Sequence, residues 1–369
     1  MLTVLTVIGT RPEAIKLAPV VLALMRRPEH FRSLVCTTGQ HRDMLDSALT
    51  LFSVPRHFDL EVMQPDQTLC STTAAILQRL EPVLAKVRPD WVLVQGDTTT
   101  VMAAALAAFY HGVRVGHVEA GLRTFDKRQP FPEEVNRRIA SVIADLHFAP
   151  TAQARQNLLN EGVSEHAIRV TGNTIVDALH LALRQPCDLE ASVLSALPPD
   201  RRLVVVTAHR RENFGRGLEQ ICLALRDLVE RFPDIHIVYP VHLNPNVQSV
   251  AHRLLSGVPG ITLTPPLDYL PMVHLLKRAT LVLTDSGGIQ EEAPGLGKPV
   301  LVLRERTERP EGVEAGVVKL VGADRERIVE AAAQLLSDPA AYARMAQAVN
   351  PYGDGRAAER IAQALLEFT

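Results

Sequence analysis

The chain has 369 residues, 47% of them hydrophobic and 22% charged, with a formal net charge of -2. That length exceeds one ordinary core and predicts two domains of roughly 150–200 residues each, while the near-neutral balance argues against nucleic acid or an anionic membrane as partner. Cys36, Cys70, Cys187 and Cys222 lack CxxC spacing, which argues against a disulfide framework or a zinc site.

In chain order, "MLTVLTVIG" opens as a strand; it lacks the basic region and small-residue cleavage site of a signal peptide. No apolar stretch reaches the ~20 residues of a membrane span, so a cytoplasmic protein is the expectation. "IGTRPEAIK" then places Pro12 at the first position of a helix. GxGxxG is missing, so a nicotinamide cofactor gets no support. Arg11 and Lys16 flank that helix start, where backbone N–H groups favour anions; the plain alternative is a surface cation pair.

"SLVCTT", "WVLVQG", "VRVGHV" and "IRVTG" continue the series, each followed by a helical pattern. Apolar strands without polar alternation predict a parallel sheet covered on both faces. "VQGDTTT" sets Asp97 at a strand end, either as a helix N-cap or as a site group. Glu119 follows "VRVGHV" directly, and Glu133 follows the Pro130–Pro132 turn. A buried carboxylate must be paired or shift its pKa, so both read as ion-pair members or as acid/base groups. Glu134 reads as an ordinary first-turn acid, and Arg123, Arg137 and Arg138 as groups holding the glutamates or their neighbours.

After a linker-like stretch at 184–202 the pattern restarts with "LVVVTA", "IHIVYPV", "ITLTPP", "TLVLTD", "KPVLVL" and "VVKLVG". The fold class is therefore α/β with two Rossmann-like, doubly wound domains: residues 1–173 with a terminal helix near 354–369, and residues 174–353. Ligands of such sheets bind beyond the carboxyl ends of the strands, so a cleft between the domains is the expected site. His209 lies at a strand end beside Arg210 and Arg211, cations that depress its pKa. "TDSGGIQEEAPGLGKP" joins a strand to a helix through Ser286, Gly287 and Gly288, which would admit a diphosphate, with Glu291 or Glu292 available to ribose hydroxyls. Arg309 in "RERTERPEG" could fork onto phosphate oxygens. No ligand spacing for a metal is present.

Taken together, "GTRPEAIKLAP", "TTGQHRDMLD", "QGDTTT", "GHVEAGLRT", "PFPEEVNRR", "TGNTIVDAL", "HRRENFGRG", "YPVHLNP", "LTDSGGIQEEAPGLGKPV" and "TERPEG" closely resemble the non-hydrolysing UDP-N-acetylglucosamine 2-epimerases, in order, over about residues 3–322. The resemblance implies a glycosyltransferase-B-like fold whose last helix returns to the first domain. It also implies interconversion of UDP-N-acetylglucosamine and UDP-N-acetylmannosamine for surface polysaccharide synthesis, by a homodimer that uses no cofactor or metal. It maps catalytic roles onto Asp97, Glu119, Glu133 and His209. Substrate contacts map onto Arg11, Lys16, Ser286, Gly287, Gly288, Glu292 and Arg309, and a possible allosteric site onto Gln40, His41 and His242. Gln95 stands where many members have His, Leu267 where some have Gln, and Asp43 and Asp66 where some regulated members have polar or basic residues.

A glycosyltransferase, a hydrolysing epimerase and a silent UDP-sugar sensor are the alternatives. Three carboxylates in one domain exceed the single base a transferase needs, and a sensor could lose its acid, base and histidine.

Overall fold

A computed structural model describes residues 1–39, 42–64, 67–188 and 197–368. Of the linker-like stretch, residues 189–196 lie outside the described residues. The chain divides into two compact units, Met1–Ala182 with Tyr352–Thr369, and Leu183–Pro351.

The first unit carries β1 (Leu2–Ile8), β2 (Phe31–Thr37), β3 (Phe58–Asp59), β4 (Trp91–Gln95), β5 (Arg114–Val118), β6 (Leu146–Ala149) and β7 (Ile168–Val170). They form one parallel sheet in the order β3-β2-β1-β4-β5-β6-β7. Chain direction across the sheet reverses between β1 and β4, the switch point where open α/β sheets form their ligand crevice. Helices Leu69–Val87 and Thr99–Tyr110 supply apolar side chains to one layer of the core. The second of them does so largely through alanines that allow close approach: Ala103, Ala104, Ala105, Ala107 and Ala108 are buried. A Cβ on Gly9 would sit 2.2 Å from Thr100 Oγ1, so the loop after β1 can lie against this helix only as glycine.

β3 and β6 are absent from the sequence-based series. β3 has only two residues, and β6 (LHFA) carries a histidine in a four-residue run, too short and polar to stand out as an apolar strand. His147 is nonetheless buried and pairs in register with His117 of β5. His117 Nε2 lies 2.7 Å from the Gly96 carbonyl, which it can reach only as the N–H donor. Burial lowers the pKa to about 4 for His117 and about 3 for His147.

These rings fold neutral. Their contribution is therefore complete above the free imidazole pKa of ~6.5 and is lost as pH falls toward 4 and below. Thermal melts between pH 7 and pH 4 should show this loss, and His147→Leu should make the pH dependence shallower. An unchanged slope would remove the ring from the acid response.

The terminal helix Ala357–Glu367 belongs to the first unit. Its start is capped by Asp177, whose carboxylate accepts the N–H groups of Ala357 and Ala358 at 3.2 and 2.9 Å. Its end is fixed by an edge-on contact between Phe368 and Trp91 and by Arg114 donating to the Phe368 carbonyl.

The second unit is built on β8 (Arg202–Thr207), β9 (Ile235–Pro240), β10 (Ile261–Thr264), β11 (Ala279–Thr284), β12 (Val300–Val302) and β13 (Val318–Leu320), in the parallel order β10-β9-β8-β11-β12-β13. Its switch point lies between β8 and β11. The expected α/β fold of two parallel sheets with alternating helices is thus what the chain forms. Each unit has polar loops at its own switch point.

Candidate active site

In the first unit, Thr10 caps the helix Arg11–Met25 in a capping box with Glu13, and Pro12 stands in the first turn. Lys16, one turn on, is nearly buried and is bonded to Glu119. Gln95 donates to the same Glu119 oxygen at 3.0 Å, so its amide serves this carboxylate. Glu119 has φ +63, a left-handed conformation that costs a non-glycine residue free energy and collects at functional sites. A buried acid in strained backbone, paired with one ammonium and one amide, is more elaborate than packing requires.

Asp97 is not the N-cap. Thr98 takes that place, accepting from the Val101 N–H at 3.3 Å, and this leaves the Asp97 carboxylate to Arg137 Nη2 at 2.5 Å. Asn136 holds the Asp97 carbonyl at 3.0 Å. Glu133 opens the helix Glu133–Ile143 that supplies both residues. Its Oε2 is buried without a hydrogen-bond partner, the mark of a polar atom kept for something other than the fold.

Glu134 corrects the sequence reading. It is fully buried, accepts the N–H groups of Thr124 and Phe125 at 3.0 and 3.1 Å, and lies 3.4 Å from Arg137 Nη1. It is a structural anchor for the loop before the helix. Of the arginines, Arg137 bridges Asp97 and Glu134, whereas Arg123 is spent on Glu161 and Ser141, and Arg138 lies 3.6 Å from Glu161. Arg11 is half-buried at the helix start.

Glu13 is not among the site groups read from the sequence, although Thr followed by Glu three residues on is the capping-box signal. It accepts from the Gly9 N–H at 2.5 Å and from the Thr98 hydroxyl at 2.6 Å, tying the loop after β1 to the one that carries Asp97. Burial raises its pKa to about 7 against those hydrogen bonds. Between the usual glutamate value and pH 7 the folded state holds a proton that the unfolded chain releases, a pH dependence opposite in sign to that of His117 and His147.

In the second unit, His209 follows β8 and its ring stacks on His242 at 5.3 Å. Burial lowers its pKa, the Asp285 charge opposes that, and His242 and Arg210 add to the lowering. Asp285, at the end of β11, is fully buried. Ser286 caps the helix Gly287–Gly295 by position, with its hydroxyl not engaged in the cap. Arg309 crosses this helix start so closely that a Cβ on Gly287 would lie 2.7 Å from its Nη1, while Gly288 faces open space. Arg309 Nε donates to Glu291 at 2.6 Å. A guanidinium beside a helix N-terminus is an arrangement that favours an anion.

Glu292 is buried beside Tyr269, whose pKa is raised by its own burial and then by the Glu292 charge. Arg304, not singled out in the sequence, joins Glu212 at 2.6 Å and Glu308 at 2.8 Å, and so links the "HRREN" loop to the segment carrying Arg309. Leu267 packs on the apolar core. Gln40, His41 and Asp66 lie outside the described residues. Among the described residues no group of three His, Cys, Asp or Glu side chains could hold a metal ion, and no helix is long and apolar enough to cross a membrane.

The family model described as UDP-N-acetylglucosamine 2-epimerase matches residues 23–366. The UDP-N-acetylglucosamine 2-epimerase of Escherichia coli O157:H7 is 55% identical over 98% of both chains. Among solved structures, the enzyme of that name from Neisseria meningitidis bound to UDP-GlcNAc is 47% identical with a TM-score of 0.90, covering 99% of this chain and 100% of that one. The Methanocaldococcus jannaschii enzyme in complex with UDP-GlcNAc and UDP is 35% identical with a TM-score of 0.82, covering 99% of each.

Proposed function

The chain belongs to the UDP-N-acetylglucosamine 2-epimerase family, a family of isomerases, and we propose that it interconverts UDP-N-acetylglucosamine and UDP-N-acetylmannosamine by eliminating and re-adding UDP. Hydrogen at C2 of the sugar is not α to a carbonyl, so enolisation cannot remove it. A base takes the C2 proton, the electron pair forms the C1–C2 double bond, and the C1–O bond breaks with its electrons leaving on UDP. A proton then reaches C2 on the opposite face, and a UDP oxygen re-adds to C1.

Two of the carboxylates Asp97, Glu119 and Glu133 serve as base and acid in this scheme. Arg11, Lys16, His209 and Arg309 stabilise the leaving diphosphate, while Ser286, Gly287, Gly288 and Glu292 hold phosphates and ribose. The observation that carries the reading is Glu119, a nearly buried acid on left-handed backbone gripped by Lys16 and Gln95. Gln40, His41 and His242 are assigned to a second, regulatory UDP-sugar, and the product to surface polysaccharide synthesis in the cytoplasm.

Incubation with UDP-N-acetylglucosamine in D2O, without NAD or an acceptor, tests this by proton NMR. UDP-N-acetylmannosamine with deuterium at C2 is expected. Free N-acetylmannosamine would indicate hydrolysis, and an unchanged spectrum would favour a transferase or a sensor.

The active form is proposed to be a homodimer. Phe109 and Tyr110 at the end of one helix, and Val135, Ile139 and Val142 on its packed neighbour, leave large apolar side chains exposed, Val142 to 87%. Such a patch marks a protein interface. Light scattering should give twice the 40.5 kDa chain mass, and Val142→Arg should shift it to the monomer; a monomeric parent protein would refute the assignment.

A further inference from the structure

We propose that Asp285 is the positioning residue for His209, holding its ring with Nδ1 toward the carboxylate and Nε2 toward the UDP-sugar. The role in turnover rests on the epimerase reading; the placement of the ring does not.

Asp285 joins the two strands at the switch point of the second unit. Its Oδ2 accepts the His209 N–H at 2.9 Å, the Arg210 N–H at 2.8 Å and Asn213 Nδ2 at 2.9 Å. Its Oδ1 accepts the His209 N–H at 3.1 Å and lies 3.5 Å from His209 Nδ1. Asn213 also donates to the Leu303 carbonyl at 3.1 Å, and the Tyr239 hydroxyl to the Ala208 carbonyl at 2.7 Å, so the loop is fixed from both sides. Several N–H donors thus satisfy a carboxylate that burial would otherwise leave at a high cost.

An asparagine could meet the backbone donors through its one carbonyl oxygen. Only a carboxylate can present a second acceptor to the imidazole. The other groups around His209 act against a proton on the ring: His242 is stacked on it and Arg210 adds a fixed positive charge. Among the described residues Asp285 is the one carboxylate within ion-pair distance of His209. With Nδ1 facing Asp285 Oδ1 at 3.5 Å, Nε2 lies on the opposite edge of the ring, where it can meet a leaving phosphate oxygen or the sugar.

Long-range proton–nitrogen spectra of histidine-labelled protein, followed over pH without substrate, test the placement. Neutral His209 is expected as the Nδ1–H tautomer. Asp285→Asn, which turns an N–H donor toward Nδ1, should invert the tautomer and lower the His209 pKa by about one unit or more. The same variant should lower kcat by at least ~10²-fold with a smaller change in KM, as expected when a histidine loses its orienting acid.

An Nε2–H tautomer in the parent protein, or an unchanged tautomer and pKa in Asp285→Asn, would overturn the proposal. If the variant does not fold, the tautomer of the parent protein decides alone. Because the spectra need no turnover, a correct tautomer in a protein that does not epimerise would count against the functional reading and leave the Asp285–His209 pair standing.

Discussion

Replacing Glu119 with glutamine should slow epimerisation by about 10²–10⁴-fold, the usual worth of a positioned acid or base, with a much smaller effect on KM. The amide keeps the size of the side chain and can still accept from Gln95 or Lys16, so the binding geometry is largely retained. What it cannot do is exchange a proton with C2. If Glu119 is only the ion-pair partner of Lys16, Glu119→Gln should lose stability in chemical denaturation while kcat of the folded protein stays at the parent value. A Glu119→Gln protein that exchanged the C2 proton at the parent rate would remove Glu119 from the chemistry.

Replacing Arg309 with alanine should damage both stability and nucleotide binding. Glu291 is 2% exposed at its side chain, and Arg309 is 15% exposed; taking the guanidinium from a pair buried this deeply costs about 3–5 kcal/mol. The same change removes a cation at the start of the helix Gly287–Gly295, where the diphosphate is proposed to bind. The two effects separate in the double variant Arg309→Ala with Glu291→Gln. Chemical denaturation should show most of the stability restored, while KM for the UDP-sugar stays raised. If KM also returned to the parent value, Arg309 would be a structural partner of Glu291 and no more.

Glu119 and Glu133 read from the sequence as ion-pair members or acid/base groups, and Glu134 as an ordinary first-turn acid; the structure gives Glu134 a different role from the one expected. Glu119 and Glu134 stand in one charged stretch. Glu134 is consumed by two backbone N–H groups and Arg137, whereas Glu119 sits at φ +63 between Lys16 and Gln95. Positive φ and tertiary partners leave no trace in residue order, so the anchoring role of Glu134 and the left-handed backbone of Glu119 were not legible beforehand.

The α/β architecture was legible because buried parallel strands are apolar throughout, and most of the strands were visible on that ground. The short β3 and the histidine-bearing β6 were not, since tertiary pairing rather than composition makes them strands. Asp97 looked like a cap because aspartate before a helix usually is one; Thr98 holds the cap through its own hydroxyl. Glu13 carried a visible capping signal, but its reach to Thr98 depends on how closely the loops after β1 and β4 approach across Gly9. Asp285 preceded the glycine pair in plain view, and only the register of β8 beside β11 brings it under His209.

In the proposed reaction the C1–O bond breaks while the C2 proton is exchanged. UDP-N-acetylglucosamine labelled with oxygen-18 in the bridge between C1 and the β-phosphorus distinguishes this from any route that keeps the bond. If UDP departs and re-adds, the β-phosphate turns between the two events and the label appears in its non-bridging oxygens, at a rate comparable to epimerisation. Epimerisation with the label held entirely in the bridge would mean that UDP does not leave C1.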